Sequence, residues 1–196
     1  FVLILRFPDG SFDCFHRINQ PMDQGRSLGA NTIHSIDGMI VREMTRRCDY
    51  DVSKVNYLYD LLAGDNSLHG HETKSDDDKL VLILWNHYQS SGYLSARILQ
   101  HLNADNLGHV DVLTVWELLE SLPEKPFKVI SIHDCFRCHP NYGNDLREQY
   151  TSQLMLIAKS NMLAHLISQL VGKPVTVGKL DPHLWQKIQK TDYALS

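Results

Sequence analysis

The stretch FKVISIHDCFRCH, residues 127–139, has the pattern of a short β-hairpin. Its first half is a run of apolar and β-branched residues behind Pro126, and such runs favour strands. Asp134-Cys135 is a candidate for a sharp turn, and the second half is expected to return as a short strand that stops before Pro140. Asp134 is therefore expected at the tip of a hydrophobic hairpin.

A carboxylate at such a tip is rigidly placed and exposed at the end of a sheet. Together with a second carboxylate from a neighbouring strand, it can hold two magnesium ions, which prefer a few carboxylates plus waters and substrate phosphates. Since no other acid in the chain has an equally clear strand context, the second carboxylate is expected from outside this chain. A polar turn that closes a core strand is the alternative interpretation of His133-Asp134.

The chain before this hairpin is predicted to open with another one. Residues 1–18 pair two apolar runs around the turn sequence Pro8-Asp9-Gly10, and residues 19–30 are expected to form a loop. A helix is predicted to begin at Asn31 or Thr32. Apolar residues recur on one face of this helix at steps of three and four: Ile33, Ile36, Ile40 and Met44.

The rest of the chain is predicted to be mainly helical, so the expected fold class is α+β. The polar stretch 65–78, which ends in three aspartates, is predicted to be a solvated loop, and the pattern of residues 80–85 fits either a strand or a helix. Gly64 and Gly172 are expected helix stops, and Asp181 is an expected N-cap. Helices are predicted at residues 52–63, 93–102, 111–121 and 144–170, with a short one after residue 182.

Composition leaves the function open. Of the 196 residues, 43% are hydrophobic and 21% charged, as in an ordinary globular protein, and the net charge of −4 does not favour nucleic-acid binding. The one tight basic group, Arg42, Arg46 and Arg47, is interpreted as a solvated helix face. Four cysteines and no signal sequence indicate a reducing compartment, and a chain that begins with Phe1 is expected to be a fragment or a processed product.

Four motifs, in this order along the chain, resemble the phage and mitochondrial single-subunit RNA polymerases. The family has a Pro-Asp-Gly hairpin, an Asn-x-x-His-Ser-x-Asp-Gly helix start, a strand followed by His-Asp-Ser-Phe, and an Asp-Phe-Ala-like carboxyl terminus. This sequence has PDG at 8–10, NTIHSIDG at 31–38, HDCF at 133–136 and DYALS at 192–196. The expected fold is accordingly the polymerase palm, in which the second hairpin packs on several helices.

The resemblance implies roles for individual residues. Asp134 would be the second metal-binding aspartate for two Mg²⁺ ions, and His133 would shape the turn and approach the primer end. The helix start would contact nucleic acid through Asn31, His34, Ser35 and Asp37. The carboxylate of Ser196 would lie near the catalytic face.

The resemblance also divides the chain into three parts. Residues 1–38 would hold the palm hairpin and the helix start, and residues 127–196 the catalytic hairpin, a long helix and the C-terminal foot. Residues 39–126, longer than in compact family members, would form an inserted, mainly helical lobe. Such insertions resemble divergent polymerases of large-virion or split-enzyme bacteriophages, which implies the infected host cytoplasm or the virion as location. Cys135 departs from the family by replacing a small hydroxyl residue.

The implied activity is DNA-templated RNA synthesis from ribonucleoside triphosphates. The partners would be a DNA template, the nascent RNA and a companion polypeptide or larger parent chain, which would supply the fingers and the other metal aspartate. No membrane association is expected.

Three other interpretations remain open. A related DNA polymerase palm usually has Glu after the His-Asp pair. Cys135-Phe-Arg-Cys138-His139 matches the haem-attachment pattern of a c-type cytochrome. The same cysteines fit a zinc or dithiol redox site less well, because Cys14 and Cys48 have no C-x-x-C partner and Pro140 follows closely.

Overall fold

The computed structural model describes residues 2–7, 10–15, 26–64, 75–132 and 135–191 of the chain. It divides into two compact units, residues 1–35 and residues 36–196. The described residues are mostly helical, with two small antiparallel sheets of two strands each, which is compatible with the predicted α+β class.

The elements follow one another in this order: β1 Val2–Phe7, β2 Gly10–Phe15, α1 Arg26–Cys48, α2 Val52–Leu62, α3 Ser75–Ser91, α4 Ile98–His101, α5 Val112–Glu120, β3 Ile130–Ile132, β4 Cys135–Arg137, α6 Gly143–Lys159, α7 Met162–Val171 and α8 Leu184–Gln189. Short 3-10 turns cover Leu107–His109 and Pro140–Tyr142.

The first unit contains β1, β2 and the beginning of α1. The two strands pair antiparallel in register from Val2 opposite Phe15 to Phe7 opposite Gly10. The predicted N-terminal hairpin is thus confirmed. The start predicted for the following helix is wrong, because α1 already begins at Arg26 and Asn31 lies inside it.

Helix α3 resolves the ambiguous stretch 80–85 and corrects the predicted loop before it. Residues 75–85 are helical, and Asp76, Asp77 and Asp78 occupy the first turn, where carboxylates interact favourably with the helix dipole. Asp77 also accepts a hydrogen bond from His101 Nδ1 at 2.8 Å, across to α4. The helix predicted over 93–102 is much shorter than expected, since α4 covers Ile98–His101 alone.

The helix predicted over 144–170 is two helices, α6 and α7, bent by 61°. Ser160 is extended there (φ −72°, ψ 171°), and its hydroxyl accepts a hydrogen bond from Met162 N at 3.3 Å. Asn161 N donates to the carbonyl of Ser91 at 2.7 Å. Ser and Asn compete with helical backbone bonding, so the chain bends where a neighbouring loop offers another acceptor.

The described residues of the second unit form two hydrophobic cores. The first core is built entirely from residues of the segment 50–122, hereafter the helical lobe. Its buried members are Val55, Leu58, Val81, Trp85, Leu94, Ala96, Ile98, Leu99, Leu102, Val115, Leu118 and Leu119. The second core, hereafter the hairpin core, joins the end of α1 to β4, α6 and the residues that lead into β3. Its buried members are Ile40, Met44, Cys48, Phe127 and Leu146.

The two ends of the helical lobe meet beside the end of α1. Phe127 N donates to the carbonyl of Cys48 at 2.7 Å, which joins residues on opposite sides of the lobe in sequence. The Tyr50 hydroxyl contacts the carbonyls of Pro123 at 2.8 Å and Glu124 at 3.1 Å. The chain therefore leaves the hairpin core at the end of α1 and returns to it at the same point.

Arg47 joins the helical lobe to the hairpin core from a fully buried position. Its side chain is 1% exposed, and it donates to Gln149 Oε1 of α6 at 2.7 Å and to the carbonyl and hydroxyl of Ser121 at 3.0 and 2.5 Å. Burial lowers the pKa of the guanidinium, against the opposing influence of Tyr93 and Glu43. The solvated face predicted for Arg47 is therefore wrong, because the residue lies between two packed bodies.

Glu43, one turn earlier on α1, makes a second buried connection to the lobe. It is 1% exposed and accepts hydrogen bonds from the Ser95 hydroxyl and, at 2.8 Å, from Ala96 N. Arg46 Nη1 lies 2.7 Å from Glu43 Oε1, the oxygen that also accepts the hydrogen bond from Ser95. A carboxylate this deeply buried is tolerated because each oxygen has donors.

Tyr93 and Gln153 complete this set of polar contacts, hereafter the buried polar joint. The buried Tyr93 hydroxyl donates to Gln153 Oε1 of α6 at 2.5 Å, and burial raises the pKa of Tyr93. Gln153 is fully buried, and its Nε2 has no hydrogen-bond partner among the described residues. The joint thus ties α1 and α6 to lobe residues far away in sequence.

Arg47→Ala should destabilise the protein by roughly 3 kcal/mol, because it removes a fully buried side chain and leaves the buried Oε1 of Gln149 without its donor. Arg42→Ala, on the exposed side of the same helix, should change the free energy of unfolding by less than about 0.5 kcal/mol. Urea unfolding of both variants measures the difference. Equal midpoints would contradict the role given to Arg47.

A histidine pair connects α3 with α7. His87 Nδ1 and His165 Nε2 are 2.9 Å apart, with the two rings at 80°. One nitrogen must donate and the other accept, so the contact requires at least one neutral ring. Burial, and then the neighbouring His87, lower the pKa of His165 below its ordinary 6.5.

This shift predicts a stability that depends on pH. The folded protein binds a proton at His165 less readily than the unfolded chain, so the contribution is complete above pH 6.5 and is lost as the pH falls below it. Thermal unfolding between about pH 7.5 and about pH 5.5 should show a smaller drop in Tm for His165→Asn than for the parent. His109→Asn, at an exposed position, serves as control; an unchanged pH profile for His165→Asn would refute the assignment.

Candidate functional site

The hairpin formed by β3 and β4 is the element that the sequence predicts to carry the site. Ile130 pairs with Arg137, Ser131 with Phe136 and Ile132 with Cys135. The sequence between the last pair is His133-Asp134, and these two residues lie outside the described part of the chain. The strands on both sides of the predicted turn are therefore described, and both are shorter than predicted.

One face of the hairpin is fixed to the hairpin core. The half-buried side chains of Val129 and Phe136 pack against that core, and the Phe136 ring lies 5.6 Å from the ring of Tyr150 on α6. The segment that leads into β3 is held at the end of α1 by the Phe127–Cys48 backbone bond. The hairpin is consequently positioned by α1 and α6, the two helices that the buried polar joint connects.

The other face of the hairpin is open. Ile130 and Ile132, which alternate onto the same face of β3, are 63% and 54% exposed. Within the described residues, β3 pairs with β4 and with no further strand. Two exposed isoleucines beside an unpaired strand edge form a surface suited to further pairing.

The predicted nucleic-acid-binding residues lie on α1. Asn31, His34 and Ser35 belong to the first unit and are exposed, and the Ser35 hydroxyl donates to the carbonyl of Thr32 at 2.7 Å. Asn31 is three and four residues before His34 and Ser35, so helical periodicity brings these side chains to one side of the helix. Asp37 is an exposed residue of the second unit, and Ser196 lies outside the described residues.

The cysteines of the C-x-x-C-H string have different surroundings. Cys135 on β4 is exposed and Cys138 is half-buried, and burial followed by Asp145 raises the pKa of the Cys138 thiol. Reactive dithiols have lowered thiol pKa values, so this direction does not favour a redox site. Among the described residues, no group of three or more His, Cys, Asp or Glu side chains is arranged to hold a metal ion.

Sequence reasoning missed the residues that support the hairpin. Glu43, Arg47 and Gln153 look like polar surface positions in the sequence, and their partners are distant along the chain. A partial signal was present for Arg47, which lies three residues after the apolar stripe position Met44 and so falls on nearly the same face of the helix. Charge composition nevertheless gives no means of telling a buried arginine from an exposed one.

No family model matches the chain. A search of curated proteins found no match either. Among the described residues, no individual helix has the length and hydropathy required to cross a bilayer, although the bent pair of residues 140–159 and 162–171 meets the criterion jointly.

Thiol labelling should distinguish the described cysteines. Cys48 is fully buried, and burial raises the pKa of its thiol to about 12, so it should resist iodoacetamide at about pH 8 until the protein unfolds. Cys135 should be alkylated in the folded protein because it is exposed. Peptide mapping by mass spectrometry reads both sites, and rapid native labelling of Cys48 would contradict the described packing.

Proposed function

We propose that this chain is the part of a phage-type single-subunit RNA polymerase that carries one of the two catalytic aspartates. Two His-centred motifs support the proposal, NTIHSIDG at 31–38 and HDCF at 133–136, because they occur in the family's order. The observation that carries most weight is the β3–β4 hairpin, whose last pair, Ile132 and Cys135, flanks His133-Asp134 in the sequence.

The proposed reaction is ribonucleotidyl transfer. The 3′-hydroxyl of the RNA loses its proton to water and attacks the α-phosphorus of an incoming ribonucleoside triphosphate. A new phosphodiester bond forms, the bond between the α-phosphorus and the bridging oxygen to the β-phosphate breaks, and pyrophosphate leaves. When bound, two Mg²⁺ ions lower the pKa of the attacking hydroxyl and stabilise the departing negative charge.

The hairpin offers Mg²⁺ a ligand of the preferred type, but it contains only one such residue. Asp134 is the one carboxylate in residues 127–139, and carboxylate oxygen is a preferred ligand of this ion. The remaining protein ligand is proposed to come from a companion polypeptide or a larger parent chain. The fingers that hold the triphosphate would have the same origin.

The open face of the hairpin supports this division of the site. Ile130 and Ile132 are exposed, and β3 has an unpaired edge among the described residues. A strand from the companion that paired with the free edge of β3 would extend the sheet beside the two isoleucines and bring its own carboxylate beside the hairpin tip. The extended pairing would follow the general mode in which a strand is added to a sheet edge.

The other predicted residues keep the roles that the resemblance implies. His133 would approach the primer end, and Asn31, His34, Ser35 and Asp37 would contact the nascent RNA or the DNA template. The location proposed is the cytoplasm of an infected bacterium or the virion. The helical lobe is proposed to be an accessory body of such an enzyme, since its two ends meet beside α1.

Asp134→Asn in the complete polymerase should reduce RNA synthesis by about a thousandfold, because metal ions stabilise the transition state by several kcal/mol. DNA binding should remain close to that of the parent, since the substitution removes no phosphate contact. Incorporation of labelled ribonucleotides on a primed template and a filter-binding assay measure the two properties.

The matched control is Asp60→Asn, at an exposed carboxylate of α2 in the helical lobe, which should leave synthesis unchanged. Cys135→Ser restores the residue type that the family has at this position and should also remain active. Near-normal transcription by Asp134→Asn would refute the proposed function.

A further inference from the structure

A groove lies at the base of the β3–β4 hairpin, beside the segment that returns from the helical lobe to β3. It encloses about 490 Å³. We call it the basic groove. The lining residues on which the argument depends are Asp49, Lys128, Ile130, Arg137, His139 and Tyr142, and a few apolar residues complete the lining. The groove flanks β4 and does not belong to the metal site proposed above.

An aromatic residue lines the basic groove. The Tyr142 ring stacks on the ring of Phe127, with centroids 4.8 Å apart and an angle of 7° between the planes. Phe127 is buried and the ring of His139 approaches Tyr142 edge-on at 6.4 Å. A tyrosine fixed in this way can receive a planar ligand without losing much conformational freedom.

The charged residues of the basic groove are mainly cationic. Arg137 is exposed, and no hydrogen bond or ion pair links its guanidinium to another residue in the described part of the chain. Lys128 is 85% exposed and lies 2.7 Å from Asp49, which is the acid that lines the groove. Two permanent cations against one carboxylate leave a local positive charge on a chain whose net charge is −4.

The size and chemistry of the groove define its ligand. A guanidinium binds phosphate oxygens with paired donors, and a lysine adds a second positive charge. An aromatic ring beside such cations is the arrangement with which proteins bind single strands, because unpaired bases stack and phosphates pair. An acidic peptide would satisfy the cations but would leave the tyrosine without a planar partner.

We propose that the basic groove binds a segment of single-stranded nucleic acid, with a base against Tyr142 and the backbone phosphates against Arg137 and Lys128. Arg137 lies two residues along β4 from Cys135, about 7 Å, so the bound strand would pass beside the hairpin that carries Asp134. The assignment of this strand to template or product rests on the proposed function, whereas the binding itself is measured without catalysis.

Fluorescence anisotropy with labelled oligo(U) and oligo(dT) tests the groove in the full-length protein. Arg137→Gln should weaken binding about tenfold and lower the slope of log affinity against log salt concentration by about 0.7, the value for one phosphate contact in a single strand. Arg97→Gln, at an exposed arginine of the helical lobe, is the matched control and should bind like the parent.

A second pair of variants tests the stacking. Tyr142→Leu should weaken binding at least about fivefold, while Tyr142→Phe, which keeps the ring, should not. Because Tyr142 also packs on Phe127, thermal unfolding of each variant verifies the fold; Arg137→Gln changes an exposed side chain and keeps the test independent of that packing. Tighter binding of oligo(U) would assign the nascent RNA, and tighter binding of oligo(dT) the template.

Two results would overturn the proposal. One is equal affinity of Arg137→Gln and Arg97→Gln for the oligonucleotides. The other is competition by tripolyphosphate or duplex DNA as effective as that by the single strands, which would reduce the groove to a general anion site. Asp134→Asn should bind the oligonucleotides like the parent. Loss of catalysis and loss of oligonucleotide binding at the groove are therefore separate outcomes.

Discussion

The buried guanidinium of Arg47 is the contact on which the second unit depends. It is removed from water between α1, α6 and the end of the helical lobe, and it is satisfied there by Gln149 and Ser121. A buried charge is costly unless its donors find acceptors, so alternative packings of these three bodies are penalised. The joint therefore selects one arrangement of lobe and helices more strongly than apolar packing alone would.

The arrangement of the hairpin follows from this joint. Glu43 and Arg47 hold α1 against lobe and α6, and the last residue of α1, Cys48, accepts the backbone bond that starts the return toward β3. The ring of Phe136 then rests against Tyr150 of α6. In the proposed polymerase, a metal-binding aspartate at the tip would be oriented by contacts at the base, and the basic groove would lie along the same support.

The sequence predicts those features whose causes are local. The two hairpins, the helix stops at Gly64 and Gly172, and helices α2 and α5 follow from alternation, capping and glycine chemistry close to each residue. The bend at Ser160 was missed because its cause is a carbonyl of Ser91, nearly seventy positions away. Arg47 was misassigned for the same reason, since its acceptors come from elements that only the fold brings to it. The site at Asp134 is predicted from the hairpin pattern and the order of the motifs, and it stays a prediction.

Iron-directed cleavage tests the central claim most directly. In the proposed complete polymerase, Fe²⁺ should take the place of Mg²⁺ at the catalytic positions and, with a reductant and oxygen, should produce hydroxyl radicals that cut the nearest backbone. The account predicts cuts around residue 134 and in the segment that supplies the other carboxylate, and their loss in Asp134→Asn. Cuts that map away from the β3–β4 hairpin in an enzyme that still makes RNA would contradict it.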